Sequence, residues 1–121
     1  MDDMILQGDV FLCDLGEESS GCEQNGVRPC LVVSNNLNNK YSSVIIVIPI
    51  TSKTKKDLPM HYILKNKDYG FFDSEINTVL TEQIRCVSIE RLIKKMGRID
   101  ILDLMHIINK LNINFKDIEL Y

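Results

Sequence analysis

Tryptophan is absent, histidine occurs twice and proline three times, and no apolar run approaches the roughly 20 residues a membrane helix needs. Each shortage removes a class. Without a long apolar run no membrane partner is expected, and Met1-Asp2-Asp3 lacks the basic start of a secretory signal, so the reading is of a cytoplasmic protein. The four cysteines, Cys13, Cys22, Cys30 and Cys86, are far apart and form no Cys-x-x-Cys pair. With so little histidine, they point to neither a zinc site nor a redox centre but to reduced thiols. Cys13, Cys30 and Cys86 lie in strand-like runs and read as small core residues, whereas Cys22 lies in a polar loop and reads as exposed. Net positive charge is lacking too: the formal charge is −3 and the pI about 5.3, which on its face argues against a nucleic-acid binder. The charge is unevenly spread, however. Lys53, Lys55 and Lys56 cluster in one segment and Arg91, Lys94, Lys95 and Arg98 in another, so a local basic groove is compatible with an acidic total. The same lysines would equally well solvate two loops.

At 121 residues, 45% of them hydrophobic, the chain fits one compact domain spanning residues 1–121, with no repeat, low-complexity tract or linker. The most informative stretch runs from Glu23 to Asn35, where a polar, glycine-containing loop delivers Arg28 into an apolar run. Pro29 biases Arg28 toward extended backbone and removes a ladder donor, which sets the guanidinium where a loop becomes a strand. Such an arginine either forms a surface ion pair or grips a phosphate.

The hydrophobic pattern predicts a first strand over Val10 to Leu15, a long polar loop from Gly16 to Gly26, and neighbouring central strands over Arg28 to Ser34 and Val44 to Ile50. Asn35 to Lys40 between them is dense in turn formers. Pro49 is expected to end the second of these strands, so that Thr51 and Ser52 emerge with their hydroxyls presented to the following loop. Met60 to Leu64, Thr78 to Thr81 and Ile84 to Ser88 read as further short strands, and pieces this short suggest a small barrel. One convincing helix follows Asp100, with Asp103 in its first turn and Ile101, Leu104, Met105, Ile108 and Leu111 at helical spacing. Ile107 widens that stripe, and His106 falls at its edge. Tyr69, Phe71 and Phe72 form an aromatic group after the lysine-rich loop. One of them could stack a base, while core packing is the simpler role for at least two.

In order along the chain stand Gly8-Asp9-Val10, Glu23-Gln24-x-Gly26-Val27-Arg28-Pro29-x-Leu31-Val32-Val33, Pro49-Ile50-Thr51-Ser52, Leu58-Pro59 and Leu80-Thr81-Glu82-Gln83-Ile84-Arg85. This series resembles the MazF/PemK family of toxin endoribonucleases over nearly the whole chain. The resemblance implies a mainly β fold, an SH3-like small β-barrel with a C-terminal helix. It also implies a homodimer, cleavage of single-stranded RNA at short sequence motifs, and a cognate MazE-like antitoxin whose tail occupies the RNA groove, with DNA binding by the toxin together with the antitoxin. Arg28 and Thr51 match the family's catalytic arginine and threonine. Glu23 and Gln24 match the loop beside the scissile phosphate, and Gln83 and Arg85 match the polar pair after the penultimate strand. Asn25, Ser52, Lys53, Lys55, Lys56 and Leu58 complete the expected RNA-binding set. Many relatives read Gly-Ser-Glu-Gln-Gly-Gly where this chain has Gly21-Cys22-Glu23-Gln24-Asn25-Gly26, a departure that bears on base preference more than on chemistry.

RNA can be cut without a metal or cofactor by using the ribose 2′-OH as internal nucleophile, leaving a 2′,3′-cyclic phosphate and a 5′-OH. Arg28 suits the developing phosphorane charge, and Thr51 can donate a hydrogen bond to the same phosphoryl group. Glu23 is the candidate base, and the residues leave open whether it removes the proton or only orients Arg28. DNA lacks the 2′-OH, and no carboxylate cluster of a metal nuclease is evident. A topoisomerase-poisoning toxin of related fold and a non-enzymatic binding module are the competing readings, disfavoured by the pairing of Arg28 with Thr51.

Overall fold

The structure of the protein, a computed structural model, describes residues 4–17, 20, 21, 23–53 and 56–116. The expectations for Cys22 and Lys55 lie outside the described residues. Seven strands, β1 (Asp9–Asp14), β2 (Val27–Val32), β3 (Val44–Thr51), β4 (His61–Lys65), β5 (Ile76–Leu80), β6 (Arg85–Ser88) and β7 (Leu92–Arg98), form an antiparallel sheet in the order β4-β5-β3-β2-β1-β7, with β6 also on β3. The helices are α1 (Asn36–Tyr41) and α2 (Ile101–Asn112). No described helix is long and apolar enough to cross a membrane.

The eight residues of β3 serve three ladders. One edge pairs with β2 through Val47, Ile48 and Pro49, while the other pairs Val44–Val47 with β6 and then Ile50 and Thr51 with β5. Pro49 therefore does not stop the strand, contrary to the sequence expectation. Ile46 turns its backbone toward β2, accepting from Val33 N at 2.9 Å, so by strand alternation Pro49 points to the opposite edge. There it falls in the gap between the β6 and β5 ladders, where a missing N–H breaks no hydrogen bond.

Other expectations need correction. Asn35 to Lys40 is no simple turn: the Asn35 side chain caps α1 by accepting from Asn38 N at 2.9 Å, and buried Asn39 bonds back to Ser34. β7 was not anticipated, because four of its seven residues are cationic or glycine and mask the alternation. Cys13 and Cys30 are fully buried as expected, but Cys86 is exposed. Cys30 is held as the thiol by its neighbour Cys13 and by burial.

Two apolar clusters occupy the two faces of the sheet. Val10, Leu31, Ile48, Ile50 and Val79 pack with Leu104 and Ile107 of α2, while Phe11, Cys13, Cys30, Val32, Ile45 and Val47 pack on the other face. The buried stripe of α2 is thus centred on Leu104 and Ile107, and Ile101, Leu102 and Met105 are exposed. Asp103 anchors the helix by accepting from Tyr62 Oη at 2.5 Å and from Tyr69 Oη, while exposed His106 stacks on Tyr62. Burial, with the Asp103 carboxylate, pushes Tyr62 up to about 12 and raises Tyr69 as well.

The sheet is not closed: β4 and β7 end the strand order and do not pair with each other. Packing bridges the opening instead. Phe71, in the β4–β5 connection, lies so close to β7 that a Cβ on Gly97 would stand 2.3 Å from its Cδ2.

Candidate active site

The polar loop ahead of β2 is drawn shut at its base, where Gly26 N donates to Gly16 O at 2.6 Å and Leu15 N to Gly26 O at 2.9 Å. Gly26 turns there with φ +73°, a conformation other residues rarely adopt. The chain then enters β2, and Arg28, its second residue, pairs with Cys13 of β1. Arg28 Nε donates to Asn25 O at 2.9 Å, so the loop's own backbone aims the guanidinium. No carboxylate among the described residues forms an ion pair with it.

The β2–β3 ladder ends with Cys30 opposite Pro49; Arg28 lies two residues before that pair on β2 and Thr51 two residues after it on β3. Past the last pair, Arg28 and Pro29 from β2 and Ile50 and Ser52 from the end of β3 line one cavity of about 540 Å³. Thr51 itself is buried, pairs with Thr78 of β5, and accepts from Lys53 N at 3.2 Å through its hydroxyl. That differs from the openly presented hydroxyl expected from the sequence. Because β3 continues through Pro49, Thr51 is still a strand residue, and Ser52 is the exposed hydroxyl.

Glu23, Gln24, Gln83 and Arg85 come together in a second cavity of about 400 Å³ beside Leu15 and Pro49. Gln24 N donates to Gln83 Oε1 at 2.8 Å, which latches the loop to the 3₁₀ turn Thr81–Gln83. Arg85 reaches Leu15 O at 3.4 Å. Glu23 Oε1 accepts from Ser20 N at 3.0 Å, and no described contact joins it to Arg28. Asn25 both aims Arg28 through its carbonyl and ties the loop by donating to Glu17 O at 3.0 Å.

Lys53 and Lys56 are exposed, and Lys56 borders a third cavity with His61, Thr78 and Lys110. Leu58 is half-buried, its carbonyl accepting from His61 N at 3.0 Å. Sequence reasoning named Lys94 only within a basic segment and not as a site residue, and missed Asn77, both of which line the Arg28 cavity, as well as the 2.8 Å contact between buried His61 and Glu82. For Lys94 the signal was there: Lys94 and Lys95 are neighbours on a strand and so point to opposite faces, one to the cavity and the other to Asp9.

Residues 6–115 match the family described as PemK-like, MazF-like toxin of type II toxin-antitoxin system. Endoribonuclease EndoA of Bacillus subtilis (strain 168) is 39% identical over 98 residues, covering 80% of this chain and 82% of that protein. Among solved structures, MazF from Deinococcus radiodurans superposes with a TM-score of 0.78 at 22% identity, covering 96% of this chain and 100% of that one. A MazE-MazF structure from the same organism gives 0.73 at 23% identity, over 94% and 97% of the two chains. An endoribonuclease in complex with its cognate antitoxin from Mycobacterial species gives 0.71 at 21% identity, over 94% and 95%.

Proposed function

The chain belongs to the PemK-like, MazF-like toxin family, and we propose that it is the endoribonuclease toxin of a toxin-antitoxin pair, cutting single-stranded RNA at short motifs without a metal and so arresting translation and growth. The observation that supports the chemistry is Arg28 on a cavity that Ile50 and Ser52, the neighbours of Thr51, also line, with Arg28 held at Nε and its two terminal nitrogens unclaimed by any described carboxylate. A guanidinium fixed this way offers a planar pair of donors to the two nonbridging oxygens of a phosphodiester.

In the reaction, the ribose 2′-oxygen bonds to the adjacent phosphorus as its proton leaves to a base, and the bond from phosphorus to the 5′-oxygen breaks. The 5′-oxygen takes up a proton from water, and the products are a 2′,3′-cyclic phosphate and a 5′-OH. Arg28 stabilises the charge that builds on the nonbridging oxygens, where a preorganised donor contributes roughly 3 kcal/mol or more. Thr51 donates its hydroxyl proton to the phosphoryl group while its oxygen still accepts from Lys53 N. Glu23 is the base of this proposal; its carboxylate, tethered at Ser20 N, borders the neighbouring cavity, so the RNA must run across both cavities. Gln24, Asn25, Ser52, Gln83, Arg85 and the lysines from Lys53 to Lys56, with Leu58, hold the strand on either side.

The partners of the proposal are RNA, the cognate antitoxin and a second copy of the chain, all in the cytoplasm. The exposed Ile101, Leu102 and Met105 on the outer side of α2 support the homodimer. An acidic antitoxin tail would compete for the charges that attract phosphate. The test is incubation with labelled RNA in EDTA, with and without a 2′-deoxyribose on the 5′ side of the cut, beside an assay for gyrase-dependent DNA breakage. Cleavage in EDTA that the single deoxyribose blocks supports the reading. Cleavage that needs added magnesium, or DNA breakage in its place, overturns it.

A further inference from the structure

The cavity at Arg28 has a far wall that the cleavage step does not use. Phe71 forms it, half-buried, its ring backed by Gly97 and flanked by Phe72 at 4.7 Å and Tyr69 at 5.8 Å between centroids. Tyr69 and Phe72 are core residues, with exposures of 7% and 4%, so of the three aromatics Phe71 is the one with surface to spare. The ring has nowhere to retreat, because the space behind it is already closer than a methyl group would permit. Lys94 enters the same cavity from β7 and makes no ion pair among the described residues. Asn77 gives both described Nδ2 bonds to backbone carbonyls, Leu64 O at 3.2 Å and Ser74 O at 2.9 Å, so its remaining polar offer is an oxygen.

We propose that this cavity seats one unpaired nucleobase of the RNA, beside the phosphodiester held by Arg28. The base lies against Phe71, the phosphate of that nucleotide is drawn to Lys94, and the Asn77 oxygen accepts from a donor on the base edge. A fixed aromatic surface next to cations is how single-stranded nucleic acid is held, since every base has a π face and every nucleotide a charge. The volume of about 540 Å³ lies in the range that encloses one small ligand, and so suits one nucleotide rather than several. The inference rests on the ribonuclease reading above and adds to it the residues that choose where along the strand the cut falls.

The probe is a fluorescent RNA made non-cleavable by a 2′-O-methyl ribose at the cut. Each base flanking the cut is replaced in turn by an abasic nucleotide, and affinity is read by anisotropy for the wild type, Phe71→Leu and Phe71→Tyr. Leucine keeps an apolar side chain near Gly97 but removes the ring. At one position the abasic substitution should weaken the wild type and Phe71→Tyr by about 5- to 150-fold and have almost no further effect on Phe71→Leu. Lys94→Gln should lower the slope of log affinity against log salt by about one. Equal sensitivity of Phe71→Leu and wild type at every position overturns the proposal. A second readout needs no variant: the ring resonances of ¹³C-labelled Phe71 should shift upfield when the non-cleavable RNA is added, and unmoved resonances at saturation count against it. A wild type that cuts RNA yet shows no coupling loses only this subsite, whereas one that neither binds nor cuts RNA loses the ribonuclease reading first.

Discussion

Arg28 and Thr51 flank the last pair of the β2–β3 ladder, Cys30 with Pro49, Arg28 two residues before Cys30 and Thr51 two residues after Pro49. They come from different strands and different hydrogen-bond systems, Arg28 tied to the loop at Asn25 and Thr51 to β5. Arg28→Ala removes one hydrogen bond and no core packing. It should therefore melt close to the wild type while cleavage falls on the order of 10²-fold or more. A folded Arg28→Ala protein with near-normal turnover would take this residue out of the mechanism.

Thr51 is buried, and its hydroxyl is already engaged with Lys53 N. Thr51→Ser keeps the hydroxyl, while Thr51→Val keeps only the shape that fills the site. Turnover of the serine variant should exceed that of the valine variant by at least tenfold, measured with folding checked by circular dichroism. Equal turnover would make the residue structural.

Asp9 has no exposed surface; one of its oxygens accepts from Leu6 N at 2.8 Å and the other faces Lys95 Nζ at 3.3 Å. Lys95→Met would leave that buried carboxylate without its cation. Breaking a fully buried pair costs roughly 3–5 kcal/mol, and because Lys95 is half exposed the expected loss is about 2 kcal/mol. Urea unfolding measures it. A loss in Asp9→Asn/Lys95→Met smaller than the sum of the two single losses would show that the pair is coupled.

Tyr62 and Tyr69 hold their protons more tightly in the folded chain than in the unfolded one, chiefly through burial and then through the Asp103 carboxylate. Stability from this clasp is complete below the unfolded tyrosine value of about 10 and is lost as pH rises from there toward about 12, because the unfolded state gives up protons that the folded state keeps. Urea midpoints across that range should fall for the wild type and fall less steeply for Tyr62→Phe.

Sedimentation should find a dimer, and Leu102→Glu on the exposed side of α2 should shift it toward monomer. A native mass unchanged by that substitution would move the interface elsewhere.

The pattern of strands was legible wherever apolar residues alternate, which is why β1, β2, β4, β5 and β6 lie within a residue or two of their expected places. β7 was not, since its lysines do work that only a partner strand reveals: Lys95 answers a buried charge and Lys94 faces a cavity. Pro49 misled for a related reason. Its meaning depends on which edge it faces, and that is a property of the whole sheet. Likewise the motif residues could be named one by one, but the sequence does not show that Arg28 lines one cavity and Glu23, Gln24, Gln83 and Arg85 another.

β1 is paired on its far edge with β7, so Asp9 meets its register partner Arg98 only across a long stretch of intervening chain. During synthesis β1 must wait, with one edge unpaired, until the ribosome has delivered β7. A nascent chain that carries Arg28 but not yet β7 has no finished cavity around it, because Lys94 and Met96 of β7 are part of the wall, and the pocket closes only when the two ends of the sheet are both present.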